Sequence, residues 1–404
     1  MLDSHATARP RGASPPTGGR LEPAEVGLAA NAHHFSDVLR ERRRSARALA
    51  RSFCATIPLA LFWLVSLTSA PDAQEIWKMR IHRGESWQEH MLAEIDSITF
   101  HADPSPVPLV RVPAGTFVMG DGVSTCGMQE HTVTLTRDFF LAQHEITNGE
   151  YLLVLQWAYD EGLVTASTSG VWDAIGSDAE LLLDLDNDYV EVQFDGGGTF
   201  YLRESPSEPA QTAYPDGYDP SRHPVKEATW FGAAAFCNWL SLYLDLPAAY
   251  DHESWECHGG DPYGAAGYRL ATDAEWEYAA QFDDERLFPW GDEDPDCARA
   301  NFYAPGGVCI GWTAPPTSHP AAPTALGLAH LAGNLWEWCN DWFVCELGTA
   351  PLVDPPGPNA GTHRVCRAGG WGSVDYDLRC GFRAYNAPDG ATYAHGFRIA
   401  RTAP

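Results

Sequence analysis

The residues best suited to chemistry in this 404-residue chain are its ten cysteines, and their spacing limits what they could do. Cys54 stands apart, followed by Cys126, Cys237, Cys257, Cys297, Cys309, Cys339, Cys345, Cys366 and Cys380. No pair has the C-x-x-C spacing of a zinc or redox site, and Cys257-His258 lacks a second half, so zinc is not expected. In an oxidising compartment the nine later cysteines would form mainly disulfides and leave one thiol over. Carboxylates come next. Asp184, Asp186 and Asp188 resemble a calcium loop only superficially, because the Gly and Glu of an EF-hand do not follow in register; a solvated strand edge is expected. Glu145, Glu275 and Glu277 read as capping and buried polar anchors, and no Ser-His-Asp or Cys-His arrangement has a local signature. Hydrolysis therefore has no support.

These residues must be positioned by local elements. Val110–Gly120 reads as a strand entering a tight turn, with His131–Thr136 as its partner. Helical spacing appears at Asn148–Ala158 and at Thr229–Leu244, where Phe231, Ala235, Trp239 and Leu242 share one face. A strand pair is expected at Tyr189–Phe194 and Gly198–Leu202 around Asp195-Gly196-Gly197. Thr272 is a good N-cap, and Glu275 three residues later completes a capping box, so a helix starts there. The last 120 or so residues are rich in Gly, Pro, Trp and Asn with few periodic runs, which predicts ordered loops held by disulfides or ions.

Charge separates the N-terminus from the rest. Net charge is −28, which excludes a nucleic-acid footprint, since phosphates need a positive surface. Residues 1–53 nevertheless carry nine Arg against five acids. Arg40, Arg42, Arg43, Arg44, Arg47 and Arg51 precede the apolar run Phe53–Leu67, which is signal-peptide length and short for a spanning helix. Export is the expectation, with residues 1–52 a disordered basic leader and 53–73 either a signal-peptide h-region or a retained membrane anchor. Residues 74–106 read as a small β appendage, a strand-turn-strand from Met79–His82 and Ile95–Phe100.

From residue 107 to the C-terminus the chain resembles the formylglycine-generating enzyme (sulfatase-modifying factor) family. The carriers are Val112-Pro113-Ala114-Gly115-Thr116-Phe117, His144-Glu145-Ile146-Thr147-Asn148, His223-Pro224-Val225 with Phe236-Cys237-Asn238-Trp239, and Arg269-Leu270-Ala271-Thr272-Asp273-Ala274-Glu275-Trp276. Further on stand Phe288-Pro289-Trp290-Gly291, Gly333-Asn334-Leu335-Trp336-Glu337-Trp338, Arg367-Ala368-Gly369-Gly370-Trp371 and Gly396-Phe397-Arg398. The resemblance implies an α+β, C-type-lectin-like fold, loop-rich and often calcium-stabilised, over residues 107–404.

The resemblance also implies specific residues. Members that convert a sulfatase cysteine to formylglycine hold copper with two cysteines between the Gly-Gly-Trp segment and the following Arg-Cys, and that interval here, Trp371–Arg379, has none. Copper is therefore not expected, because thiolate is the ligand this oxidation depends on. The iron-dependent sulfoxide synthase branch needs a helical domain with a His-rich motif, which residues 76–106 do not supply. Calcium is expected at His330, Gly333, Leu335 and Glu337, through backbone carbonyls and one carboxylate, and a second family site would begin at Asn301 and Phe302. The expected disulfides are Cys297–Cys309, replacing that second ion, Cys366–Cys380, Cys339–Cys345 and Cys237–Cys257, leaving Cys126 as the odd thiol. A ligand-binding surface is expected from Trp371, Tyr376, Arg383, Tyr385, Asn386 and Asp389. The resulting expectation is an exported, non-catalytic module for a protein, peptide or glycan ligand, attached to membrane only through an N-terminal anchor; the alternative is an oxidoreductase, copper-dependent or related.

Overall fold

The computed structural model describes residues 105–404 except 124–125, 127–128, 283 and 320–325, together with the backbone of three earlier strands, Ser66–Thr68, Lys78–Arg83 and Ser86–Met91. The chain divides into two units, Met1–Thr99 and Phe100–Pro404. In the first, Lys78–Arg83 pairs antiparallel with Ser86–Met91 on one side and Ser66–Thr68 on the other. The partner of the first strand is thus Ser86–Met91; Ile95–Phe100, the leader 1–52 and the apolar run up to Val65 lie outside the described residues.

In the second unit, Pro113 cannot donate to a ladder and splits the first apolar stretch into β1 (Leu109–Val112) and β2 (Gly115–Met119). Strand β3 (His131–Leu135) pairs with β2 from Gly115↔Leu135 to Met119↔His131, as its alternation requires, and β4 (Phe139–Ala142) pairs with β1. Helix α1 (Asn148–Asp160) begins at a capping box, with Thr147 accepting from the Glu150 backbone and Glu150 reaching back to Thr147. Asn148 ties that helix start to a distant loop through Nδ2 bonds of 3.0 Å to the carbonyls of Pro220 and His223.

Helix α2 (Trp230–Tyr243) is capped by Thr229 and is not amphipathic in its surroundings: Trp230 and every residue from Gly232 to Ser241 are buried. It packs closely because Gly232 lies against the Leu182 carbonyl, where an added Cβ would meet the oxygen. The expected hairpin around Asp195 is shorter than its sequence window, Val192–Phe194 with Phe200–Leu202. Helix α3 (Asp273–Gln281) follows β5 (Arg269–Leu270) and starts at the Thr272–Glu275 capping box.

Further strands are β6 (Trp336–Trp342), β7 (Leu352–Val353), β8 (Arg364–Arg367), β9 (Ala384–Asn386), β10 (His395–Phe397) and β11 (Ile399–Thr402). They complete three sheets, β5-β11-β4-β1, β9-β8-β6-β10 and β7-β3-β2. Strand β10 runs parallel to β6, Trp336 opposite His395, while β11 runs antiparallel to β4. The chain therefore crosses from one four-stranded sheet to the other at Arg398, between Phe397 and Ile399. Two large apolar clusters fill most of the interior, one around α1 and α2, the other around α3, β2 and β3, and a smaller one gathers Phe288, Ala300, Phe302, Ala332 and Leu378.

Candidate functional site

The loop that would hold a copper pair in a formylglycine-forming protein begins where β8 ends. Ala368 and Gly369 take positive φ values of 78° and 72°, and the turn is fixed by the Trp371 amide donating to the Asn334 carbonyl. Gly370 N donates to Ser373 Oγ, a short 3-10 turn covers Asp375–Leu378, and the segment ends at Cys380, fully buried. The five unbonded cysteines among the described residues, Cys237, Cys257, Cys339, Cys366 and Cys380, are all buried. Burial pushes the Cys237, Cys339, Cys366 and Cys380 thiols well above their ordinary value and Cys257 up to about 12. Thiols so shielded are poor nucleophiles and poor soft-metal ligands.

These thiols also correct the expected bridges. Cys126 is not left over; it is bonded to Cys345, with Cα atoms 4.4 Å apart, and Cys297 is bonded to Cys309 at 5.3 Å. Cys339–Cys345, Cys366–Cys380 and Cys237–Cys257 are not formed. Cys339 lies inside β6 and Cys366 inside β8, where their side chains face the apolar interior, so proximity in sequence did not bring either to its expected partner.

Two of the expected calcium ligands, Glu337 and the His330 carbonyl, hold a different cation, Arg398. Glu337 is fully buried, and its oxygens accept from Arg398 Nη2 at 2.5 Å, Arg398 Nε at 2.6 Å and Trp276 Nε1 at 2.7 Å. The same guanidinium donates to the carbonyls of Ala142, Ala329 and His330. The carboxylate and the His330 carbonyl that calcium would need are thus turned to Arg398, and the residues do not fit the ion as folded. His330 and Asn334 instead face Glu145: Asn334 Nδ2 lies 3.1 Å from both its oxygens, His330 Nδ1 3.2 Å from Oε2, and the Leu335 amide donates to Oε1. Gly333, at φ 77°, packs on the Asn301 carbonyl so closely that a Cβ there would clash.

At the second site Asn301 Nδ2 donates to the Trp312 carbonyl at 2.7 Å, and Phe302 is core, packed with Phe288 and Leu378. Asn301 thereby ties two loops together in a segment closed by the Cys297–Cys309 bond.

Among the six residues expected to line one surface, Arg383 does not belong there. It is 4% exposed, donating to Asp273 Oδ2 and to the Val344 carbonyl, because Asp273, Arg367, Glu277 and Arg383 form one buried ion network. The other five are at least partly exposed but fall into separate groups. Tyr385 lies tilted against Phe343 and edge-on to His363, Tyr376 lies against Arg379 and Phe382, and Asn386 and Asp389 are on and after the edge strand β9. Trp371 belongs to a cluster whose other members the sequence did not single out: Trp312 at 6.2 Å and Tyr393 at 6.0 Å between ring centroids, with Tyr189 5.0 Å from Tyr393 and 5.8 Å from Trp312.

Beneath this cluster is a buried polar layer. Lys226 Nζ lies 4.3 Å from the Trp312 ring centroid and 3.6 Å from Glu191 Oε1, which also accepts from Tyr218 Oη. Burial pushes the Lys226 ammonium down to about 8. Trp371 Nε1 is buried with no acceptor among the described residues, while Tyr189 and Tyr393 are 37% and 44% exposed. Aromatic faces around a shielded cation suit recognition better than bond making. Nothing local marks Tyr189 and Tyr393, since they come from loops far apart in sequence.

Residues 99–403 match the model of the family described as sulfatase-modifying factor enzyme 1-like domain. The chain is 34% identical over 185 residues to the serine/threonine-protein kinase pkn1 of Chlamydia caviae, a stretch covering 45% of this chain and 24% of that protein, so it spans about a quarter of that relative. It is 30% identical over 327 residues to the formylglycine-generating enzyme of Streptomyces coelicolor, covering 73% of this chain and 89% of that one. In structure it is similar to Treponema denticola variable protein 1, with a TM-score of 0.52 at 21% identity over 73% of this chain and 95% of that one. By the family match and the loop-rich α+β architecture together, the chain belongs to the sulfatase-modifying factor enzyme 1-like domain family.

Proposed function

We propose that the chain is an exported, non-catalytic binding module of this family that takes a protein, peptide or glycan ligand on the surface around Trp371, Tyr189 and Tyr393, which the buried Trp312 supports from beneath. The observation that carries the reading is that the loop from Gly370 to Arg379 has no cysteine, while every unbonded thiol among the described residues is buried. Two disulfides fit an oxidising compartment, as does the arginine-flanked apolar run near the N-terminus. The strong negative charge keeps nucleic acid out of the reading, and membrane attachment enters only through an N-terminal anchor. An oxidoreductase reading leans on the similarity to the Streptomyces coelicolor protein named formylglycine-generating enzyme; this chain lacks a cysteine pair between Gly370 and Arg379.

The test is direct. The full chain is incubated with a peptide carrying a sulfatase cysteine motif, copper and a thiol reductant, and the peptide is weighed by mass spectrometry. No aldehyde product is expected, and product at turnover level would sink the non-catalytic reading. In parallel, envelope proteins and glycans captured by the unmutated chain should be lost with Trp371→Ala and Tyr393→Ala; equal capture by those variants would move the ligand off this surface.

A further inference from the structure

Buried arginines in this protein come with carboxylates. Arg269 is paired with Glu275, Arg367 with Asp273 and Glu277, Arg379 with Asp121, Arg383 with Asp273, and Arg398 with Glu337. Arg364 is the exception among the described residues. It is 5% exposed, its guanidinium lies 3.5 Å from the ring centroids of both Trp230 and Trp342, and its Nη1 donates to the Asn340 carbonyl. No carboxylate forms an ion pair with it, and its Nε has no partner. Among the described residues this buried cation is held between two aromatic faces with no carboxylate in ion-pair contact, Asp341 acting on it only at longer range, and buried charge without a close partner is costly.

Arg364 lines a cleft of about 430 Å³, within the range of small-molecule sites. Its walls are hydrogen-bonding and tightly shaped. Asn340 and Asp341 come from β6, Gly259 and Gly260 leave one side free of side chains, and Gly357 presses on Asp341, where an added Cβ would meet Oδ1. None of these residues belongs to the aromatic surface around Trp371.

The geometry points to a second ligand site in this cleft, for a small hydroxylated carboxylate of acidic-monosaccharide size. Its carboxylate pairs with Arg364, and its hydroxyls meet Asn340, Asp341 and the glycine backbone. Burial and the neighbouring Asp273 hold the Asp341 carboxyl well above the usual carboxylate range, and its Oδ2 accepts from the Asp273 amide at 2.9 Å. Recognition of a planar carboxylate by a guanidinium supplies charge and direction together. The inference goes beyond the binding-module reading, since it places a different ligand class at a cleft apart from the aromatic surface.

Titration calorimetry of the full chain with D-glucuronate, and with D-glucose as the neutral ring, tests it. Saturable glucuronate binding at least tenfold tighter than that of glucose is expected. Arg364→Lys should weaken it at least tenfold, and Ala360→Trp, which fills the exposed rim without touching the tryptophan sandwich, should abolish it at an unchanged melting temperature. Trp371→Ala should leave it unchanged. Absent binding, equal affinity for glucose, or glucuronate binding that survives Ala360→Trp overturns the inference, even if Trp371-dependent capture stands. Conversion of the sulfatase peptide would overturn the binding-module reading and leave this site standing.

Discussion

Glu337→Gln separates the two cations that could sit at the junction of the four-stranded sheets. In the structure the Arg398 guanidinium is held by both Glu337 oxygens and by three carbonyls, with Trp276 Nε1 closing the arrangement. Both partners are fully buried. Removing one charge of a buried pair costs about 3–5 kcal/mol, since the other is left uncompensated. Glutamine keeps the size and one acceptor oxygen, which puts the expected loss near the lower end, about 3 kcal/mol. A native domain has only about 5–15 kcal/mol in hand, so the variant should show a clearly lower urea midpoint at unchanged slope. The double variant Glu337→Gln, Arg398→Gln should recover part of the loss, because it leaves no orphan charge. Each protein is unfolded with and without a calcium chelator, and no chelator effect is expected in either. A chelator-dependent loss in the unmutated protein that disappears in Glu337→Gln would show that calcium, not Arg398, is the resident cation, and would refute the reasoning.

Other expectations follow from individual contacts. Gly232→Ala should destabilise the fold by more than 2 kcal/mol, measured by urea unfolding, although alanine favours a helix by about 1 kcal/mol, because its Cβ meets the Leu182 carbonyl; a stabilised variant would contradict the packing. Non-reducing peptide mapping should find Cys297–Cys309 and Cys126–Cys345, and on the chain-entropy model their loss should cost about 3 and about 5 kcal/mol; any Cys366–Cys380 peptide would contradict the structure. Burial raises the Glu227 carboxyl to about 7, so the folded state binds its proton below that value while the unfolded state binds it only near 4.5. This contribution to stability is greatest at low pH and is lost as pH rises from about 4.5 to 7. Glu227→Gln should therefore stabilise the protein at pH 8 by roughly 1–2 kcal/mol and change little at pH 4.5; an equal effect at both values would rule out the titration.

Local rules written in the chain determined a large part of the architecture. Thr147 and Thr272, each with a Glu three residues later, start helices where a capping box must, and Thr229 caps the third by the same hydroxyl chemistry. Alternation paired β2 with β3, and the glutamate motifs fell where buried anchors were expected. The missing cysteines of the Gly370–Arg379 loop are also a matter of composition, legible without coordinates. What only the tertiary structure decided are relations between distant segments. That Cys126 meets Cys345, that Arg398 and not an ion fills the Glu337 site, and that Trp371 shares a surface with Tyr189 and Tyr393 depend on which loops the sheets bring together. The same holds for Arg383, whose exposure could not be read from its type, because a distant carboxylate, Asp273, draws it inside. Capping and alternation act over a few residues and leave a trace in spacing; charge pairing and disulfide choice act through space, and their partners leave none.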